Sequence, residues 1–253
     1  MEESPLITRF LAGRLRLPHL LCVVSVCVLI CGCGDDIAGP TRDADADGVA
    51  DALDRCAGQA ETRNKVFDLD GCPDDVADLY VPVRADIEAY WASSFPALYG
   101  RSYSPISRIQ FFTGVTDSPC GEGETAFYCP IDAAVYLDTD FMSSQITTIG
   151  DFAGATVIAH EVAHHIQNLR GTLSPPHAIQ AELQADCLAG AWGANVSARG
   201  LLGPGDSQEA ARVLFEARDP AGLPWFAPEA HGTAAQRYEA FSKGFRSGPR
   251  SCD

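Results

Sequence analysis

The run His160-Glu161-Val162-Ala163-His164 constrains this chain more than any other stretch. Two histidines four residues apart project from one face of an α-helix, a turn apart, so both imidazoles can grip one cation. Glu161 lies about 100° round the helix from His160, on the side of His164, and so faces the position that two such ligands leave open. Ile158, Val162, Ile166 and Leu169 run down the opposite side. That apolar face buries the helix against a core and offers the histidines to a cleft.

Zinc is the metal expected there, because neutral imidazole nitrogens in tetrahedral geometry suit it and an oxidising exterior disfavours ferrous iron. A hydrolytic zinc needs a third protein ligand and one open position. Glu182 is the candidate, eighteen residues past His164 at the start of Glu182-Leu183-Gln184-Ala185-Asp186, a separation that suits a helical hairpin. Asp186, one turn on, is placed to accept the outward N–H of a zinc histidine and hold its tautomer. The roles of these two acids can be exchanged at this stage. Gln167 and Arg170 stand where a three-histidine pattern needs Gly and His, which excludes that class. His165 points away from His164 and reads as a packed neighbour. Glu161 is the residue to take a proton from a water whose pKa zinc lowers towards ~7 and to pass it to a leaving amine. His231 is a candidate donor to the oxyanion, with Tyr128 and Tyr136 as alternatives.

The elements around this motif suggest an α+β domain, mostly helical, with a small sheet before the active-site helix. Leu79, Val83, Ile87 and Trp91 recur at four-residue steps, which predicts a helix over 78–95. Strands are expected at 108–113 and over 125–138, the latter a hairpin turning near Ile131-Asp132. One long helix is expected over 143–170, stopped by Gly171, and a second over 179–195. Asp206-x-x-Glu209 and Thr233-x-x-Gln236 resemble capping boxes of two closing helices.

The N-terminus reads as an export signal: Arg9, Arg14 and Arg16 precede the apolar run from Leu20 to Ile30, too short to span a bilayer comfortably. Gly32-Cys33 then resembles a lipobox, so 1–32 is expected to be a lipoprotein signal peptide, with Cys33 lipidated and anchored in the membrane of a bacterial cell envelope. An uncleaved anchor is the alternative. Six further cysteines follow in an oxidising compartment. The preferred pairing is Cys56 to Cys72, Cys120 to Cys129 and Cys187 to Cys252, the first two being near neighbours in sequence.

The formal charge of -16 argues against nucleic acid and against an anionic membrane surface as partner. Residues 35–75 hold twelve acids and four bases, a net of -8, which is half the excess. Within this linker (33–76), Asp43, Asp45, Asp47, Asp51 and Asp54 fall at loop positions 1, 3, 5, 9 and 12, with Gly48 at 6. That is calcium-loop spacing: alternate carboxylates wrap a hard cation and glycine permits the sharp turn. With Cys56 and Asp68-Leu69-Asp70-Gly71-Cys72, the segment resembles one thrombospondin type 3 calcium repeat; the alternative is a solvated acidic linker.

HEVAHHIQNLRG, ELQADCLAGAW, HGTAAQRYEAFSKGF and CGEGETAFYCPIDAAVYLD together resemble the bacterial neutral zinc metallopeptidase family over residues 78–253. The resemblance implies a zincin-like fold of the Glu-ligand type, with His160, His164 and Glu182 on zinc, Glu161 catalytic and Asp186 behind a histidine. It also supports Cys120 with Cys129 and Cys187 with Cys252 as matched positions. The stretch Glu216-Ala217-Arg218-Asp219 through Pro228 departs from the expected pattern. The expected activity is peptide-bond hydrolysis on a peptide or protein substrate by the domain 77–253. The alternatives are a catalytically inactive interaction protein that keeps a metal-stabilised fold, and a calcium-dependent adhesin.

Overall fold

The computed structural model describes residues 42–63, 71–73 and 75–253. The leader, Cys33, and Asp68 and Asp70 lie outside the described residues. No helix among those described is long and apolar enough to cross a membrane.

Helix α1 (Val76–Tyr99) begins at an Asp75 cap, whose side chain accepts from Ala77 N while Asp78 reaches back to Asp75 N. Leu79, Val83, Ile87, Trp91 and Phe95 line its buried face, none more than 1% exposed, which is the expected four-residue stripe. The helix runs past the expected end at 95, takes Pro96 into its last turn and stops at Gly100, whose φ of 65° is the left-handed region glycine enters freely.

Three strands form the main sheet in the order β1 (Ile109–Phe112), β5 (Ala134–Asp138), β4 (Ala126–Cys129). β5 is central, buried at every residue, parallel to β1 and antiparallel to β4. The β4–β5 turn falls at 130–133, as expected. β4 therefore forms an edge of this sheet. Between β1 and β4 lies a hairpin that the sequence does not signal, β2 (Val115–Ser118) with β3 (Gly121–Glu124). Its second strand reads Gly-Glu-Gly-Glu and has no apolar alternation to announce it. The Cys120–Cys129 disulfide ties this hairpin to the end of β4.

The single helix expected over 143–170 is two: α2 (Thr139–Thr148) and α3 (Asp151–Arg170), broken at Gly150. Gly150 has φ 152°, and a Cβ there would lie 2.1 Å from the Glu209 carboxyl carbon, so the chain turns where another segment presses on it. Glu209 belongs to α5 (Asp206–Glu216) and accepts from Phe152 N at 3.0 Å. The expected capping box at Asp206 is consequently absent: the cap is Gly205, Asp206 accepts from Gly203 N, and Glu209 serves α3 instead. The box at Thr233 is present and starts α6 (Ala234–Ser247).

α3, α4 (Ala178–Ala198) and α6 pack around one core with α1 and the sheet, centred on Trp91, Phe152, Val162 and Trp192. α4 and α6 approach to backbone contact. A Cβ on Gly190 would lie 2.0 Å from Phe241 O, and one on Gly244 1.8 Å from Cys187 O. The Cys187–Cys252 disulfide fastens the end of the chain to α4 at the same place, and the Cys56–Cys72 bridge closes the acidic segment, so all three expected pairings are present.

Because neither backbone can yield, Gly244→Ala is expected to destabilise the protein by about 3 kcal/mol. A thermal unfolding midpoint equal to that of the parent, with the disulfides intact, would contradict this helix contact.

Candidate functional site

The middle of α3 carries His160, Glu161 and His164, all facing a cleft, and the second turn of α4 carries Glu182 opposite them. His160 Nε2 lies 3.1 Å from His164 Nε2 and 3.2 Å from Glu182 Oε2, and His164 Nε2 lies 3.4 Å from Glu182 Oε1. Ligands about 2.05 Å from a tetrahedral zinc stand about 3.3 Å apart, so the triangle has the dimensions of three corners of such a site. The donor chemistry fits as well: two imidazoles and one carboxylate on adjoining helices.

The outward edge of each imidazole is held. Asp186, fully buried on α4, accepts from His160 Nδ1 at 2.8 Å; since a carboxylate only accepts, the proton sits on Nδ1 and Nε2 offers its lone pair to the cleft. Gln167 Oε1 does the same for His164 Nδ1 at 2.8 Å, while its amide donates to Ala181 O and Gln184 Oε1. Arg237, from α6, grips Asp186 with Nε and one terminal nitrogen, both at 2.8 Å, and donates the other to Ala217 O. The structure thus gives the two acids different places, Glu182 on the cleft and Asp186 behind His160.

Charge follows from this inventory. Glu161, Glu182 and Asp186 set against Arg237 leave three negative charges and one positive, a net of -2 beside two imidazoles that are neutral as ligands. A divalent cation balances that sum. Burial alone would lower the His160 pKa, yet its hydrogen bonds to Asp186 and Glu182 raise it to about 10. Burial opposes ionisation of Glu182 and Asp186 too, but the histidine and, for Asp186, the Arg237 guanidinium hold both below the usual carboxylate range. Glu161 is raised by burial, against the pull of His160 and His164. It is the one carboxyl of the three held nearer to proton exchange.

His231 also lines the cleft. Asp219 accepts from the backbone N–H groups of His231 and Gly232 at 2.9 and 2.7 Å and stands 3.7 Å from His231 Nδ1. Tyr128 lines it too, but its hydroxyl accepts from Asn168 and donates to His165 Nδ1, because His165 spends its Nε2 proton on Ser104 O. Tyr128 therefore braces β4 against α3. Tyr136 is buried outside the cleft, its hydroxyl donating to Asp132. Phe127, Phe141, Val157 and Leu214 supply the cleft's apolar walls, and its volume is about 420 Å³.

Arg237, Gln167 and Asp219 escape the sequence reading. Gln167 had a signal, since it lies three residues past His164 on the same helix face. Arg237 had none, being 51 residues from the carboxylate it serves.

The acidic loop behaves differently from the cleft. Asp43, Asp45 and Asp54 each use one carboxylate oxygen to accept from a loop N–H, of Gly48, Asp47 and Cys56 respectively. The second oxygen of each is buried without a hydrogen-bond partner. Asp47 accepts from Val49 and Glu61, while Asp51 turns to Arg42 and Ala44 N and is not among the inward oxygens.

Asp186→Asn keeps the size of the side chain but weakens its hold on His160. Affinity for a divalent metal, read by competition with a chromophoric chelator, is expected to fall about 10- to 100-fold. An unchanged affinity would remove Asp186 from the orientation of that histidine.

A family model described as "Putative neutral zinc metallopeptidase" matches residues 44–253. The chain is 36% identical over 208 residues to the uncharacterized protein YpfJ of Escherichia coli K12, covering 71% of each chain. It is 31% identical over 235 residues to the uncharacterized protein Mb2605 of Mycobacterium bovis, covering 76% of this chain and 78% of the relative. No solved structure matches. With a match that takes in the cleft, the two helices that carry its candidate ligands and all three disulfides, the chain belongs to this family of zinc metallopeptidases.

Proposed function

We infer that the protein is a zinc-dependent metalloendopeptidase, exported and tethered to the envelope through a lipid on Cys33. The observation that carries the catalytic part is the triangle of His160 Nε2, His164 Nε2 and Glu182 oxygens, 3.1 to 3.4 Å on a side, with Glu161 on the same cleft. His160, His164 and Glu182 would hold the metal. When bound, zinc supplies a Lewis acid and an acidified water at neutral pH.

The chain's own groups do the rest. Glu161 receives a proton from the attacking water and hands it to the departing amine nitrogen, a duty suited to a carboxyl whose pKa burial has raised. His231, steadied by Asp219, faces the cleft as the donor to the developing oxyanion. Residues 125–128, at and before the edge strand β4, line the same cleft and offer backbone groups along which an extended peptide can align. Asp186 and Gln167 keep both imidazoles turned inward throughout.

Domain boundaries follow the notion of a catalytic unit, 77–253, raised from the membrane by the acidic segment 33–76 after loss of the signal peptide 1–32. The buried, unpartnered oxygens of Asp43, Asp45 and Asp54, and the grouping of carboxylate oxygens of Asp43, Asp45 and Asp47 within 4.8 Å of one another, support a calcium ion in that segment as a stiffener, in the manner of a thrombospondin type 3 repeat.

Glu161→Gln is expected to keep the zinc stoichiometry of the parent and to cut an unstructured protein at least ~100-fold more slowly. Full cleavage by this variant sinks the mechanism; zinc-loaded parent that cleaves nothing sinks the enzymatic reading and leaves a metal-stabilised interaction protein. For the acidic segment, calcium at 100 times its Kd is expected to stabilise the disulfide-bonded segment by about 2.7 kcal/mol. Asp45→Ala is expected to abolish the effect, and a parent indifferent to calcium rules out the ion.

A further inference from the structure

The loop between α5 and α6 reaches the cleft at both ends, through Ala217 and His231. Its middle is rooted on the first turns of α4, where Leu223, Ala227 and Ala230 pack with Ile179 and Leu183. Between these anchors Trp225 and Phe226 stand 58% and 59% exposed, their rings 5.7 Å apart. The Trp225 ring rests on His177, the residue that caps α4, at 4.7 Å. Two large aromatic side chains are thus held in water by a loop fixed beneath them, which differs from the scattered exposure normal on a protein surface.

Position gives the pair a use. His177 precedes Glu182 by five residues, about 7.5 Å along the axis of α4. An extended polypeptide advances about 3.3 Å per residue, so that offset corresponds to about two or three residues of a substrate chain. We propose that Trp225 and Phe226 form a docking subsite for a large apolar side chain of an unfolded polypeptide, and so select unfolded, apolar-rich segments for cleavage. The occupant follows from the loop that carries the pair, whose two ends at Ala217 and His231 line the cleft. His160 and Glu161 are 8% and 7% exposed at its floor, within reach of an extended chain and not of a folded surface. Large apolar side chains stay available two or three residues from a bond in unfolded chains; in folded ones they are mostly buried.

The proposal rests on the peptidase reading, but its test separates the two. Trp91 and Trp192 are each 1% exposed, so emission from water-exposed tryptophan belongs to Trp225. Zinc-loaded Glu161→Gln is titrated with a Trp-free twelve-residue peptide that carries leucine and phenylalanine, and with its serine-substituted counterpart. The apolar peptide is expected to shift the Trp225 emission to shorter wavelength with saturation, the serine peptide to bind about tenfold more weakly, and Phe226→Ser to weaken the apolar peptide about tenfold. In the active protein, the KM advantage of the twelve-residue peptide over a four-residue one is expected to collapse in the Trp225→Ser, Phe226→Ser double variant and to be kept largely by Trp225→Phe. Peptide binding that leaves Trp225 emission unmoved, or a KM ratio unaltered by the double variant, overturns the subsite. So does an emission that moves with protein dilution alone, which marks the rim as a contact between copies. A Trp225 shift on binding without hydrolysis by the parent defeats the peptidase reading and leaves the subsite standing.

Discussion

A single buried carboxylate, Asp186, holds the site and much of the fold together. It accepts from His160 on α3 and from two nitrogens of Arg237 on α6, and Arg237 in turn donates to Ala217 at the end of α5. An isolated carboxylate at this depth costs several kcal/mol, and a buried pair is worth keeping only where its remaining lone pairs are satisfied. Here both oxygens of Asp186 are engaged. The consequence runs outward: the ring angle of His160 depends on the seating of α6. That seating depends on two glycines that let α4 and α6 touch and on the bridge from Cys187, the neighbour of Asp186, to Cys252. The last 20 residues of the chain thereby support the candidate metal site although none of them carries one of its candidate ligands.

The two acidic constellations of the protein solve opposite problems. In the cleft, carboxylates are offset by Arg237 and by imidazoles, and one of them, Glu161, keeps a raised pKa that suits proton transfer. In the loop of Asp43, Asp45 and Asp54, each carboxylate accepts from a backbone N–H through one oxygen and buries the other without a hydrogen-bond partner, and Asp45 is raised chiefly by burial and by the charge of Asp47. The first sets its carboxylates among imidazole and guanidinium nitrogens, the second among backbone N–H groups.

What the sequence discloses depends on how local the cause is. The histidine pair, the four-residue stripe of α1, the β4–β5 turn and the Thr233 box are settled by residues within one or two turns, and each is legible. Gly150 is different: the sequence reading carries one helix through it, and the side chain that presses on the break, Glu209, comes 59 residues later in the chain. The same carboxylate, borrowed by α3, is why the box expected at Asp206 does not form. Pro96 inside α1 is tolerated because Phe95 is buried and anchors the last turn, a tertiary override of a local breaker. Arg237 belongs with these, since no spacing rule pairs an arginine with an acid 51 residues away.

Chemistry and selection occupy different parts of the architecture. The atoms that would meet the metal sit on two helices whose orientation is locked by Asp186, Gln167 and a disulfide, the rigid support that a catalytic geometry requires. The cleft's other walls come from elsewhere: the edge strand β4, the side of α5 at Val213 and Leu214, and the two ends of the loop at Ala217 and His231. Among the described residues, the loop meets Arg237 through the backbone oxygen of Ala217, while Asp219 caps the loop's own far end at His231 and Gly232. The rigid part therefore rests on buried side chains of α3, α4 and α6, and the exposed aromatic pair lies on a surface loop outside it.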